Sequence, residues 1–139
     1  SNLSLKSFAN WIKGEETDDI KNEQVPLRHA APFYGSTFLK YQHKKLFAEF
    51  SAFYNSRIKN KDLAPSEQAK PEIYAIDDNG KPFSPGWYTL NVKVSYQVIK
   101  NLLLTAGWEN MTNQRYRPYS SGIVAAGSNL FITLRASLN

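Results

Sequence analysis

Within one short stretch the chain sets two guanidinium groups and two phenols, at Arg115, Tyr116, Arg117 and Tyr119. That combination can grip an anionic or ring-bearing ligand, because a guanidinium fork matches carboxylate or phosphate and aromatic rings stack. The same stretch is also good loop chemistry. Asn110 can bond its own backbone where a strand ends, Pro118 fixes the chain, and Gly122 and Gly127 permit backbone angles that side chains resist. Loop shape is therefore the first reading of the segment, and ligand contact the second. No catalytic residue, metal ligand or cofactor site is expected elsewhere. A Gly-x-Ser-x-Gly elbow, metal-spaced histidines and a phosphate-binding glycine loop are all missing, and His29 and His43 stand alone. Asp77, Asp78, Asn79 and Gly80 superficially look like a calcium loop but lack its spacing and closing glutamate, so they read as a turn. Glu15, Glu16, Asp18, Asp19 and Glu23 show no fixed ligand spacing and read as solvated surface.

The elements that position these residues are strands. From Trp87, one face carries Tyr88, Leu90, Val92, Val94, Tyr96 and Val98, and the other Thr89, Asn91, Lys93, Ser95 and Gln97, a period of two. The next strand sets Leu102, Leu104, Ala106 and Trp108 against Leu103, Thr105, Gly107 and Glu109. The last sets Leu130, Ile132, Leu134, Ala136 and Leu138 against Phe131, Thr133, Arg135 and Ser137. Upstream, Gly35 to Gln42 and Leu46 to Asn55 form a hairpin, and Leu3 to Ile12 alternates less cleanly. Glu49 lies in mid-strand. A buried unpaired carboxylate is costly, so that face is expected to be wet or to hold a cationic partner, for which Lys40 is placed. A small hairpin with an Asn-Gly turn is expected between Ile73 and Phe83.

At 139 residues the chain is the size of one domain. Aromatics reach 14%, which suits boundaries between dry and wet surroundings. The net charge of +5 comes from dispersed bases that form no stripe along which phosphates would track, so nucleic acid is not an expected partner. There is no cysteine, hence no disulfide framework. No apolar run is long enough for a transmembrane helix.

The connections alternate strictly in length. Those at His43 to Lys45 and Ile99 to Asn101 are short, and those at 13 to 32, 56 to 86 and 111 to 128 are long. Short turns at one end and long loops at the other are how an up-and-down transmembrane β-barrel is laid out. Tyr88 and Tyr96 share the apolar face roughly 26 Å apart along the strand, close to the height of a barrel's apolar band. A soluble β-barrel or β-sandwich that binds a small ligand, its apolar face inward, has the same period and is the alternative.

Residues Glu109 to Ala125, with Gly127 before a terminal strand, resemble the C-terminal end of TonB-dependent outer-membrane receptors. Pro26 to Pro32 and Gly86 to Asn91 are similar to the same family. Ala126 and Ser128 stand where that family often has Pro and Arg, and the chain finishes on Leu138 and Asn139 where an aromatic residue is usual. The resemblance implies an all-β fold: an antiparallel meander of about six strands forming the C-terminal part of a transmembrane barrel. Residues 1–139 would then be one segment, with upstream strands and a plug domain lying outside it, since such barrels close with about 22 strands. It further implies no enzyme activity but uptake of a scarce nutrient (metal chelate, vitamin or glycan) across the bacterial outer membrane. The partners implied are outer-membrane lipid, the small nutrient ligand, and the TonB complex acting through the plug.

Overall fold

The computed structural model of the protein describes residues 2–19 and 21–138. Ser1 and Asn139, the two ends of the sequence pattern, lie outside the described residues. Six strands form one antiparallel sheet in strict chain order: β1 (Asn2–Trp11), β4 (Phe33–His43), β5 (Leu46–Asn55), β8 (Trp87–Ile99), β9 (Leu102–Glu109) and β10 (Asn129–Ala136). Two small hairpins sit in the connections, β2 (Glu15–Asp18) with β3 (Glu23–Pro26), and β6 (Ala75–Ile76) with β7 (Pro82–Phe83). The meander is the one expected, and β6 and β7 are the Asn-Gly hairpin in shortened form. Asp77 Oδ1 accepts the N–H groups of Asn79 and Lys81, each at 2.9 Å, so that carboxylate is used by the turn itself.

The register places the alternating residues in two unbroken layers. Leu39 pairs with Phe50 and Phe50 with Val92, and Val92 in turn with Trp108, all on the apolar face. One position along, Lys40 faces Glu49 and Glu49 faces Lys93 on the opposite, polar face. The Glu49 carboxylate lies 3.2 Å from the ammonium of each lysine. Lys40 is the partner the sequence suggested, and Lys93 is a second one that only the register reveals.

The apolar face carries no charged residue on any of the six strands. Aromatic residues mark both of its ends. At the long-loop end Trp11, Phe33, Tyr54 and Tyr88 follow one another across four strands, with ring centroids 6.3 Å apart for Trp11 and Phe33 and 6.1 Å for Phe33 and Tyr54. At the other end stand Tyr41 and Tyr96. Nothing covers this face. Leu5, Ile132 and Leu134 are 70%, 78% and 63% exposed.

Among the described residues the buried apolar core lies not beneath the sheet but in the long connection between β5 and β8, at Ile58, Leu63 and Ala64. That segment also holds a short helix, α1 (Pro65–Gln68), entered through a proline whose missing N–H costs nothing in a first turn. The other end of the sheet is thin. Lys44 and Lys45 alone turn β4 into β5, and Lys100 and Asn101 turn β8 into β9. A register shift between Gln97 and Ile99 precedes the second turn, and the Gln97 side-chain amide donates to the carbonyls of Ile99, Lys100 and Leu102.

Two expectations are corrected. The connection 13 to 32 contains the hairpin of β2 and β3, whose cross-strand Gln24–Thr17 side-chain bond of 2.9 Å was hidden within an acidic run. The final strand ends at Ala136, so Leu138 lies beyond it and is fully exposed.

Candidate functional site

The long connections meet in a cleft of about 270 Å³ at one end of the sheet, lined from one side by Tyr74, Pro85 and Trp87 and from the other by Arg115, Tyr116 and Arg117. Its size is at the lower end of that of small-molecule pockets. Trp87 opens β8, and Tyr116 stacks on its ring with centroids 4.0 Å apart and planes at 28°. Gly86 lets the chain enter β8 beside the backbone of Arg57, where a Cβ would sit 2.9 Å from the Arg57 nitrogen.

The opposite wall is shaped by Asn110, which is buried and adopts a positive φ of 47°. Its side-chain amide donates to the carbonyls of Gln114 (2.9 Å) and Ala126 (3.0 Å), and its Oδ1 accepts the N–H of Gln114 at 2.9 Å. Its own N–H donates to Asn91 Oδ1 on β8 at 2.8 Å. The expected local backbone bond is thus present and is one of several. Asn113 repeats the device, with φ of 49° and its Oδ1 accepting the Ser128 N–H at 3.0 Å. The loop closes on itself where the Ala125 N–H meets the Tyr116 carbonyl at 2.9 Å.

Of the four residues singled out in the sequence, Arg115, Tyr116 and Arg117 line the cleft together, while Tyr119 does not. Arg115 is exposed. Arg117 reaches across to the Glu72 carbonyl at 3.4 Å, and its Nε is buried without a hydrogen-bond partner. Tyr119 turns inward behind the wall, and burial pushes its phenol up from the usual range. The lining contains two guanidinium groups and no carboxylate. Chemically it can take a small anion bearing a flat apolar part.

Behind the cleft lies a centre that no sequence motif announces. Glu67, in α1, is fully buried. Its Oε1 accepts from Arg28 Nε at 2.8 Å and from Lys70 Nζ at 2.9 Å, and its Oε2 accepts from the Tyr74 hydroxyl at 2.6 Å. Burial pushes this carboxyl up, but hydrogen bonds from Tyr74 and Lys70 and the charge of Lys70 outweigh it and hold the group at about 2. Tyr74 is pushed the other way, upward, by burial and by its bond to Glu67. Lys70 and Tyr74 are close in the chain, but Arg28 lies 39 positions away, so local spacing does not announce the centre. Among the described residues no group of His, Cys, Asp and Glu is placed to hold a metal ion.

An open meander with one uncharged and one charged face, two-residue turns at one end and long connections at the other, is a segment of β-barrel wall. Among solved structures the chain is similar to the ferric citrate transporter FecA in its unliganded form. The TM-score is 0.72 and the identity 14%, with 97% of this chain and 21% of that one covered. It is similar also to the siderophore receptor PiuA from Acinetobacter baumannii, with a TM-score of 0.61 and 11% identity, covering 96% of this chain and 19% of that one. The barrel fold expected from the resemblance is therefore the fold of the chain, which spans about a fifth of the length of those two proteins. No protein-family model and no curated protein sequence matches it.

Proposed function

We propose that the chain is the C-terminal barrel wall and external loop set of a TonB-dependent receptor in the bacterial outer membrane. In this reading it helps take up a scarce nutrient, namely a metal chelate, vitamin or glycan. The observation that carries the reading is the apolar face: six strands wide, free of charge, bounded by aromatic residues and covered by nothing. Hydrocarbon is the surrounding that such a face suits, and a hydrated lumen suits the Lys40–Glu49–Lys93 row behind it. The upstream strands and plug, and through the plug the TonB complex, complete the transporter.

The connections 13 to 32, 56 to 86 and 111 to 128 are then the external surface, and the cleft between the last two is a point of ligand capture. Arg115 and Arg117 would meet negative charge there and Tyr116 a ring, whereas Tyr119 serves the loop's shape. Both similar structures are named for iron chelates, and the carboxylate-free lining favours an anionic chelate within the nutrient classes.

These 139 residues hold no cysteine, so the test introduces a single one here, with any cysteine elsewhere in the full-length protein replaced by serine. A fluorophore placed at Val94→Cys and, separately, at Ser95→Cys in the full-length protein is read in vesicles containing brominated lipid. Quenching at position 94 and none at 95 is expected. The reverse pattern, or a protein that never fractionates with outer membranes, would favour the soluble ligand-binding barrel instead.

A further inference from the structure

Glu67 bonds residues of two of the long connections and lines no surface itself. Arg28 comes from the connection between β1 and β4, while Lys70 and Tyr74 come from the one between β5 and β8. The hydroxyl of Ser120, from the connection between β9 and β10, is buried without a hydrogen-bond partner. Tyr74 is the one member of this group that also lines the cleft. A second bridge, from Arg117 to the Glu72 carbonyl, runs parallel to the first.

We propose that Glu67 is a positioning residue that clasps two of the long connections together and, with the Arg117 bridge holding the third, sets the width of the cleft. A carboxylate has two oxygens with about four acceptor sites, enough to hold a guanidinium, an ammonium and a phenol at once. Its burial makes the clasp cooperative, because removing one partner strands charge in a dry place. The Ile58, Leu63 and Ala64 core packs around the same segment and gives it a rigid base. Ligands therefore meet a preformed cleft whose wall at Tyr74 is fixed from behind, not three loops that close independently. The proposal concerns the loops alone and stands whether or not the cleft belongs to a nutrient receptor.

Spin labels on the full-length protein test it. Gln24→Cys, Lys61→Cys and Gly122→Cys place one label on each connection, and a side chain at 122 meets open space. Electron–electron distances for 24–61 and 61–122 are expected to be single narrow peaks. E67Q should cost the 24–61 peak its narrowness while heat-dependent gel mobility still reports a folded barrel. R28Q should broaden 24–61 alone, and Y74F should leave 24–61 narrow. An unchanged 24–61 peak in a folded E67Q protein overturns the proposal, as do peaks that are broad before any substitution. Should E67Q not fold, the contrast between R28Q and Y74F decides, and equal broadening of both distances in R28Q counts against the clasp.

Discussion

The ring of Tyr54 lies across Gly35 on the neighbouring strand and carries its hydroxyl one strand further, donating to the Phe8 carbonyl at 3.1 Å. A Cβ at position 35 would stand 2.7 Å from the ring and 2.3 Å from that carbonyl oxygen. Phe131 does the same over Gly107 on the opposite face, at 2.4 Å. An aromatic side chain thus fills the space each glycine leaves, one on either side of the wall.

Gly35→Val and Gly107→Val should therefore each destabilise the sheet by about 1–3 kcal/mol through overpacking. Tyr54→Phe, which keeps the ring and loses one hydrogen bond, should cost only about 1 kcal/mol. Urea unfolding in lipid or detergent, followed by tryptophan fluorescence, ranks the three. A valine at 35 that proves neutral would contradict the packing.

The Lys40–Glu49–Lys93 row lends itself to a mutant cycle. Glu49→Ala leaves two ammonium groups facing each other, and because both lysines are partly exposed the loss should be about 1 kcal/mol. Adding Lys40→Met should recover part of it. Additive effects in the same unfolding measurement would mean that the three charges do not interact.

Asn110 supports its loop through both side-chain atoms and through a backbone angle that most residues resist. Asn110→Ala should cost about 1–2 kcal/mol locally, since the part-buried bonds to Gln114 and Ala126 are lost. Asn110→Gly restores the angle alone and should recover only a fraction. Amide exchange across 111 to 128 is the measurement, with faster exchange expected there and unchanged protection in β8.

Glu67 gives the loop body a defined pH range. Its folded-state pKa of about 2 lies below the ordinary 4.5, so its contribution is complete above about 4.5 and is lost as pH falls toward 2. Tyr74 is raised above its ordinary 10, so its bond is lost only in strong base. The 24–61 spin-label distance should therefore hold from about pH 5 to pH 9 and broaden as pH falls toward about 2. Broadening near neutral pH would show that some other group governs the loops.

Periodicity made the sheet legible. Alternation over Tyr88 to Val98 and Leu46 to Tyr54 reports a property of each strand alone, and the order of short and long connections is enough to lay the strands side by side. Glu49 and Lys40 were legible for the same reason, since adjacent strands with a two-residue turn have only one register. The β2–β3 hairpin was hidden because Glu15 to Asp18 is polar on both faces and leaves no period to read. Glu67 was hidden more deeply. Its meaning lies in Arg28, whose approach depends on how two connections fold over one another, and a glutamate in an exposed-looking Pro-Ser-Glu-Gln turn carries no mark of burial. The cleft falls between these cases: Arg115 to Arg117 stood out by composition, but Trp87 as the partner of Tyr116 followed only from the fold.

The two tight turns have a bearing on which way up the molecule stands. They carry Lys44, Lys45 and Lys100 without a carboxylate, and Lys45 also reaches the Val98 carbonyl at 3.2 Å, tying the two turns together. The acidic residues, by contrast, fall almost wholly in the long connections. The strand axis is thus an electrostatic axis as well, with a thin cationic rim at one end. In the proposed membrane setting anionic headgroups would attract such a rim, so charge as well as the bulk of the loops would mark the leaflet that the turns enter.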